Sequence, residues 1–437
     1  MKSSRTSSAG HTRTRREQWR RCTFAAALLA GMLGGCAIGA DVQPQRPRMQ
    51  VMLELPPPVE VAQAKANMVT AVIPGARCAA VSDEHSLLAA STSDQRGVAQ
   101  LLLMQLDGEG KIREGEPAKI ILPLPLALQG FQHYVHALAF HPAKPLLYVW
   151  RDARGEGRKD HPAVDVVFNE LDHLLIYSIE GGKLSLLKTA AHGRDYSFGV
   201  QMGSLAVDAK NGRLYVSNTQ VKNRESKDPD LYQDAPGYLQ LDDAGMPVAD
   251  DNGLRLVMRR PPMQRYDGQH RLCVKEYWNF PLGMSGPFPI NDNTMVFTDK
   301  HDLITVTIDP SRVPAGVPKS FWLPLLEYGQ ASWCRCSLHP ALPVIYVSAG
   351  GRLFRIEHVD GFPTLLPQVI GFNDNPTSAP VVCKSMVALG AGNSVLLFPT
   401  DAAGYFTGEA QRVAAKTSGS ALAYSARYDR LYVAVDP

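Results

Sequence analysis

The chain has 437 residues, with 45 Lys and Arg against 42 Asp and Glu, a formal net charge of +3 and 45% apolar side chains. The positive balance belongs to the leader: without the first 35 residues, 38 basic side chains face 41 acidic ones and the net charge is near −3. Nothing in that balance predicts nucleic-acid binding, which rests on clustered Lys/Arg on the folded part.

Lys2, Arg5, Arg13, Arg15, Arg16, Arg20 and Arg21 precede an apolar run from Thr23 to Leu33. This is the layout of a secretory signal peptide, and the run is too short to span a bilayer comfortably. The Arg pairs lack the hydrophobic residues that twin-arginine export requires, so they count as plain leader charge. The run ends at Leu33-Gly34-Gly35-Cys36, which resembles the lipobox cleaved before an acylated cysteine. Residues 1–35 are therefore read as a lipoprotein signal peptide, Cys36 as the lipidation site, 36–49 as a tether and 50–437 as one folded domain. Ordinary cleavage after a small residue such as Ala40 would instead leave a soluble periplasmic protein.

Beyond Cys36 the cysteines are Cys78, Cys273, Cys334, Cys336 and Cys383, scattered and odd in number, which is no disulfide framework. A mature chain of this length supplies its own apolar core. Cys334 and Cys336, two apart on a strand, share a face. They read as small core hydrophobes or as half of a disulfide, and a metal site would need a further pair at ligand spacing.

From residue 81 onward one eleven-residue pattern returns in register: VSDEHSLLAAS from Val81, FHPAKPLLYVW from Phe140, VDAKNGRLYVS from Val207, PINDNTMVFTD from Pro289, LHPALPVIYVS from Leu338 and YSARYDRLYVA from Tyr424. A shorter copy, VVCKSMVALGA from Val381, makes seven. Each joins the end of one apolar strand to a β-branched or aromatic strand through a polar turn, so each is a hairpin. A second hairpin follows most copies, around Asp107-Gly108-Glu109-Gly110, Gly181-Gly182, Asp242-Asp243-Ala244-Gly245 and Asp401-Ala402-Ala403-Gly404. Two hairpins make a four-stranded blade, and helical periodicity is nearly absent. The expected fold is all-β: a seven-bladed β-propeller of four-stranded antiparallel blades. The last copy has only two strands, so Val51 to Leu55 and Met68 to Ile73 are expected to complete the seventh blade and close the ring.

These Leu-Tyr-Val strands after Asp- or His-Pro-containing turns resemble the bacterial propellers of the surface-layer, YVTN and lactonase-like type, over most of the mature chain. That resemblance implies the architecture and leaves activity open, since the family shape hosts binding proteins, lactonases and structural modules.

Two long charged insertions, residues 151–172 and 218–237, fall between the second and third strands of adjacent blades, and both should project from one face. The first carries Arg151, Arg154, Arg158, Lys159 and His161; the second carries Lys222 and Arg224; the blade-joining His192 and Tyr196 should lie between them. Such charge density suits a solvated loop, whereas such length suits a binding surface. His133, His136, Arg194, Asp195 and Arg335 are the candidates for a site at the channel mouth, where imidazole and guanidinium could hold an anion or polarise a carbonyl. A lactonase-like hydrolase needs carboxylates there, and the inner strands start instead at Ser204, Ser285, Ser332, Ser378 and Ser420, read as packing residues. His141 and His339, each before a proline, read as turn residues. No phosphate loop, HExxH, haem-attachment or EF-hand motif occurs, and no cofactor is implied. The expectation is a lipid-anchored propeller facing the periplasm, with the outer membrane favoured over the inner. It would act as a binding or scaffold module for an envelope protein, peptide or small ligand, and the alternative is a lactonase-like hydrolase.

Overall fold

In the computed structural model the described residues are 67–73, 75–93, 98–124, 132–154, 173–190, 196–197, 204–221, 234–248, 254–256, 263–266, 272–275, 285–298, 302–307, 320–324, 334–364, 367–372, 374–414 and 421–435. All regular structure among them is strand. Each eleven-residue copy forms the inner hairpin of a blade, because alternating side chains on both strands can then be buried against the two neighbouring blades.

Blade one is Ala79–Ser82, Leu87–Ser93, Ala99–Gln105 and Ala118–Ile121, and blade two is Gln132–Phe140, Leu146–Arg154, Leu174–Glu180 and Lys183–Ala190. Blade three is Leu205–Asp208, Arg213–Val221, Asp234–Gln240 and Leu254–Leu256; blade four is Ser285–Asn291, Thr294–Thr298, Asp302–Thr307 and Ser320–Pro324. Blade five is Arg335–Leu338, Val344–Ala349, Arg352–Val359 and Gln368–Gly371; blade six is Val381–Val382, Met386–Ala391, Ser394–Pro399 and Gln411–Ala414. Each inner strand touches those of the blades before and after it, and the first touches the seventh, so the ring is closed. Between blades lie apolar clusters, such as Tyr148, Trp150 and Ile176 against Leu214, Val216 and Leu239.

Blade seven differs from the expected antiparallel pattern. Leu422–Ser425 and Arg430–Val435 pair antiparallel, but the third strand, Met68–Val72, runs parallel to the second, from Met68 opposite Leu431 to Val72 opposite Val435. The cause is connectivity. The strand must deliver the chain to the first strand of blade one, so it takes the direction of a fourth strand while occupying the third place. Val51 to Leu55 lie outside the described residues.

The chain has two kinds of connection. Hairpin turns within blades open on one face, here the turn face; links between second and third strands and between blades open on the other, the connection face. On the turn face a joint recurs. Asp107, Asp242 and Asp401 each accept backbone N–H groups two and four residues on, which fold Asp-x-x-Gly turns whose glycines have φ of 76°, 83° and 79°. Each such glycine carbonyl accepts the phenol of a tyrosine in the preceding blade: Tyr432 to Gly110 at 2.8 Å, Tyr148 to Gly245 at 2.7 Å and Tyr346 to Gly404 at 2.6 Å. Between blades four and five Thr305 takes that role on Gly361.

The turn histidines behave as the sequence implies. His141 Nδ1 accepts the Ala143 N–H at 3.1 Å, His339 Nδ1 those of Ala341 and Leu342, and His358 Nδ1 that of Gly361. Each ring must be neutral to accept, and burial lowers all three pKa values below the ordinary 6.5, helped at His141 by Lys144 and at His339 by Arg355, and opposed at His358 by Asp360. The unfolded chain then takes up protons first. Stability is expected to be full above about pH 6.5 and to fall as the pH drops below it. Denaturation midpoints measured across that interval should show a smaller slope for the His141→Asn, His339→Asn double variant, and an unchanged slope would refute the assignment.

Candidate functional site

The two insertions identified in the sequence leave the ring on the connection face, and their strands overrun it there. In blade two the pairing continues through Val135 opposite Arg151 to Gln132 opposite Arg154, past a bulge at His136. In blade three it continues through Thr219 opposite Ala235 to Gln220 opposite Asp234. Tyr196–Ser197, from the link between these blades, pairs with Gln220 and Val221 on the same overrun. The backbone thus gathers three chain segments, 196–197, 219–221 and 234–235, at the overrun of blade three.

Arg151 is a correction to the solvated-insertion reading. It belongs to the strand and is only 2% exposed. Its guanidinium donates to the Pro123 carbonyl, its N–H to the His173 carbonyl at 2.9 Å, and its own carbonyl lies 3.1 Å from His173 Nδ1. Arg151 and His173 therefore clamp the base of the first insertion, and a buried guanidinium so employed is structural. The charge also opposes the burial that pushes the neighbouring Tyr177 phenol up to about 12.

Two of the residues expected at the channel mouth lie on described inner strands. His136 stands, half-buried, on the inner strand of blade two rather than before it, and Arg335 opens that of blade five, where burial pulls its guanidinium down to about 10. Blades three and four separate them in the ring, so the two are not neighbours. A residue that sequence reasoning missed lies nearby: Arg77, exposed, holds its guanidinium 4.2 Å above the Tyr134 ring, joining the mouths of blades one and two. An Arg just before the first copy was the available signal. His133 and Arg154 lie on described strands, but their side chains, like that of Tyr196, lie outside the description. Arg158, Lys159, His161, His192, Arg194, Asp195, Lys222 and Arg224 lie outside the described residues.

Two of the inner-strand serines are joints between blades; Ser378 Oγ instead accepts the Gly390 N–H of its own blade at 2.8 Å, and Ser332 and Ser420 lie outside the described residues. Ser204 Oγ accepts the Gly286 N–H at 2.9 Å, and Ser285 Oγ accepts the Cys336 N–H at 3.3 Å, each across a blade boundary. Small hydroxyls fit where strands crowd around an axis and satisfy backbone groups that the sheets leave over. Cys334 and Cys336 are fully buried in the apolar cluster between blades four and five, and Cys78, Cys334, Cys336 and Cys383 are free thiols. Burial pushes Cys78 and Cys336 up to about 12, so both stay protonated and unreactive. No three His, Cys, Asp or Glu side chains among the described residues are placed to hold a metal ion.

On the turn face a cavity of about 720 Å³ spans blades three to five, with Asp208, Lys210, Asn211, Asp292 and Asp360 in its wall. Its polar groups already serve each other: Lys210 Nζ and Asn211 Nδ2 donate to Asp292 at 2.7 and 3.1 Å, and Asn291 donates to Asp360 at 3.2 Å. It is part of the joint between blades.

No protein-family model matches the chain, and no curated protein does. Solved structures with a similar strand arrangement include a functionally unknown protein from Desulfotomaculum acetoxidans, at TM-score 0.45 and 9% identity over 83% of this chain and 90% of that one. Others are a putative 6-phosphogluconolactonase from Bacteroides uniformis (0.41, 10%, 77% and 80%) and the periplasmic gluconolactonase of Pseudomonas aeruginosa (0.43, 11%, 77% and 85%). Likeness at these values carries nothing about activity. The strand topology itself makes the chain a seven-bladed β-propeller.

Proposed function

We propose that the protein is a binding or scaffold module whose working surface is the connection face above blades two and three. The ligand class is an envelope protein, a peptide or a small molecule, and Cys36 carries a lipid that holds the ring at the periplasmic side of the membrane. What supports the surface is the overrun of paired strands in both blades on that one face, with the Arg151 and His173 clamp at the base of the first insertion. A rigid footing beneath a long charged insertion lowers the ordering cost of binding. The described inner-strand starts carry no carboxylate, which favours binding over a carboxylate-assisted hydrolysis of lactones.

The test places photo-crosslinking residues at Arg158 and Lys222, and at Lys210 and the exposed Glu109 on the turn face, in the full chain in its native membranes. One shared adduct from the first pair and none from the second is the expected result. Adducts from the turn face alone, or turnover of a lactone panel by the purified protein, would overturn the reading. The anchor is tested separately: mass spectrometry should find an acylated Cys36, and Cys36→Ala should release the protein from membranes.

A further inference from the structure

A second cavity on the turn face, of about 330 Å³, lies at the seam of blades six and seven. It is bounded by the inner and outer turns of blade six, residues 383–386 and 399–402, by Asp429 in the hairpin turn of blade seven and by Asn67, where the closing strand begins. Its floor is apolar: Leu397 is fully buried, and Cys383, Met386 and Pro399 are buried beside it. Its rim is charged, with Lys384 and Asp401 exposed and Asp429 half-buried. The cavity across blades three to five uses its polar groups within its own wall, whereas this one does not. Lys384 donates its backbone N–H to the Tyr424 hydroxyl at 3.2 Å, but its ammonium has no hydrogen-bond or ion-pair partner among the described residues.

Asp429 accepts only neutral donors, the Tyr424 hydroxyl at 2.7 Å and the Asn67 side-chain amide at 3.2 Å. They orient the carboxylate without neutralising it, and no Lys or Arg pairs with it among the described residues. Burial, and after it the Asp429 charge, pushes the Cys383 thiol in the cavity floor up. A half-buried carboxylate without a cation carries a desolvation cost that a bound cation offsets. Asp401, whose Oδ1 is engaged by two N–H groups of its own turn, adds negative charge to the rim. Charges of both signs around an apolar floor match a zwitterion with an apolar body, and the volume, at the lower end for small-molecule sites, suits a single residue rather than a polymer. We propose that this cavity binds a free α-amino acid with an apolar side chain, its ammonium against Asp429, its carboxylate against Lys384 and its side chain over Met386 and Leu397. The site is separate from the connection face and does not depend on the partner proposed there.

Isothermal titration calorimetry of the full mature chain with L-leucine and with L-methionine is expected to show saturable binding. Leucinamide lacks the anion and N-acetyl-leucine lacks the cation, so each should bind about tenfold to a hundredfold more weakly than leucine, the worth of one charge-assisted hydrogen bond. Lys384→Gln changes an exposed side chain without a partner among the described residues, so the ring should fold unchanged. That variant should weaken leucine by the same factor and leave leucinamide unaffected. Asp429→Asn keeps an oxygen for the Tyr424 hydroxyl and should weaken both. No binding of either amino acid, equal affinities for leucine and its two derivatives, or a Lys384→Gln protein that holds leucine as the parent does would overturn the proposal.

Discussion

Gly404→Ala is expected to lower the stability of the ring by about 3 kcal/mol, from left-handed backbone strain together with a lost buried hydrogen bond. Gly404 has φ of 79°, and an added Cβ would lie 2.6 Å from the Tyr346 oxygen, inside any tolerable contact. The joint around it is a network: Arg355 donates to the Ala403 carbonyl at 2.8 Å, pairs with Glu357 at 2.9 Å and stacks 3.5 Å from the Tyr405 ring, whose hydroxyl donates to Glu357. Tyr346→Phe keeps the packing and removes one donor, so its effect should be smaller, about 1–2 kcal/mol. Gly108→Ala, in a turn of the same type but with nothing near its Cβ and no unusual φ, should change little. Chemical denaturation midpoints of the three variants decide the matter, and equal losses at Gly404 and Gly108 would show that the joint contributes nothing specific.

The closing strand should show an equally sharp contrast between adjacent residues. Ala71 is 8% exposed and packs in the cluster between blades seven and one, with Leu88, Met104 and Tyr432, whereas Thr70 is exposed on the other side. Ala71→Asp buries an unpaired carboxylate at the seam of the ring, a change that costs about 3–5 kcal/mol. Thr70→Asp puts the same charge in water and should stay within about 0.5 kcal/mol of the parent. Limited proteolysis and small-angle scattering should find the Ala71→Asp ring opened and the Thr70→Asp ring closed. Two equally stable variants would mean that Met68–Val72 is dispensable for closure.

The sequence carried more about the blades than about the site. All seven inner hairpins were legible because alternation and turn chemistry are local. The tyrosines of the Leu-Tyr-Val strands and the Asp-x-x-Gly turns were both visible, yet their pairing was not: the partners stand 97, 58 and 322 residues apart. Arg151 looked like a loop residue because Asp152 and Arg154 follow it. Its burial depends on how far two strands stay paired, and backbone pairing leaves no mark in side-chain type. The hairpin of Met263–Tyr266 and Leu272–Lys275, which lies against the outer strand of blade four, belongs to no repeat and went unread for that reason.

By itself the sequence determined the all-β class, the number of blades and the place of the hairpins, because each depends on contacts within about a dozen residues. It also determined that an apolar segment near residue 70 had no local partner. Only the tertiary structure decided that this segment closes the ring as a parallel strand, that blades are joined through tyrosine and glycine, and that Arg151 is a clamp. Those features depend on groups brought together by ring closure, and the direction and spacing that closure imposes are properties of the whole chain.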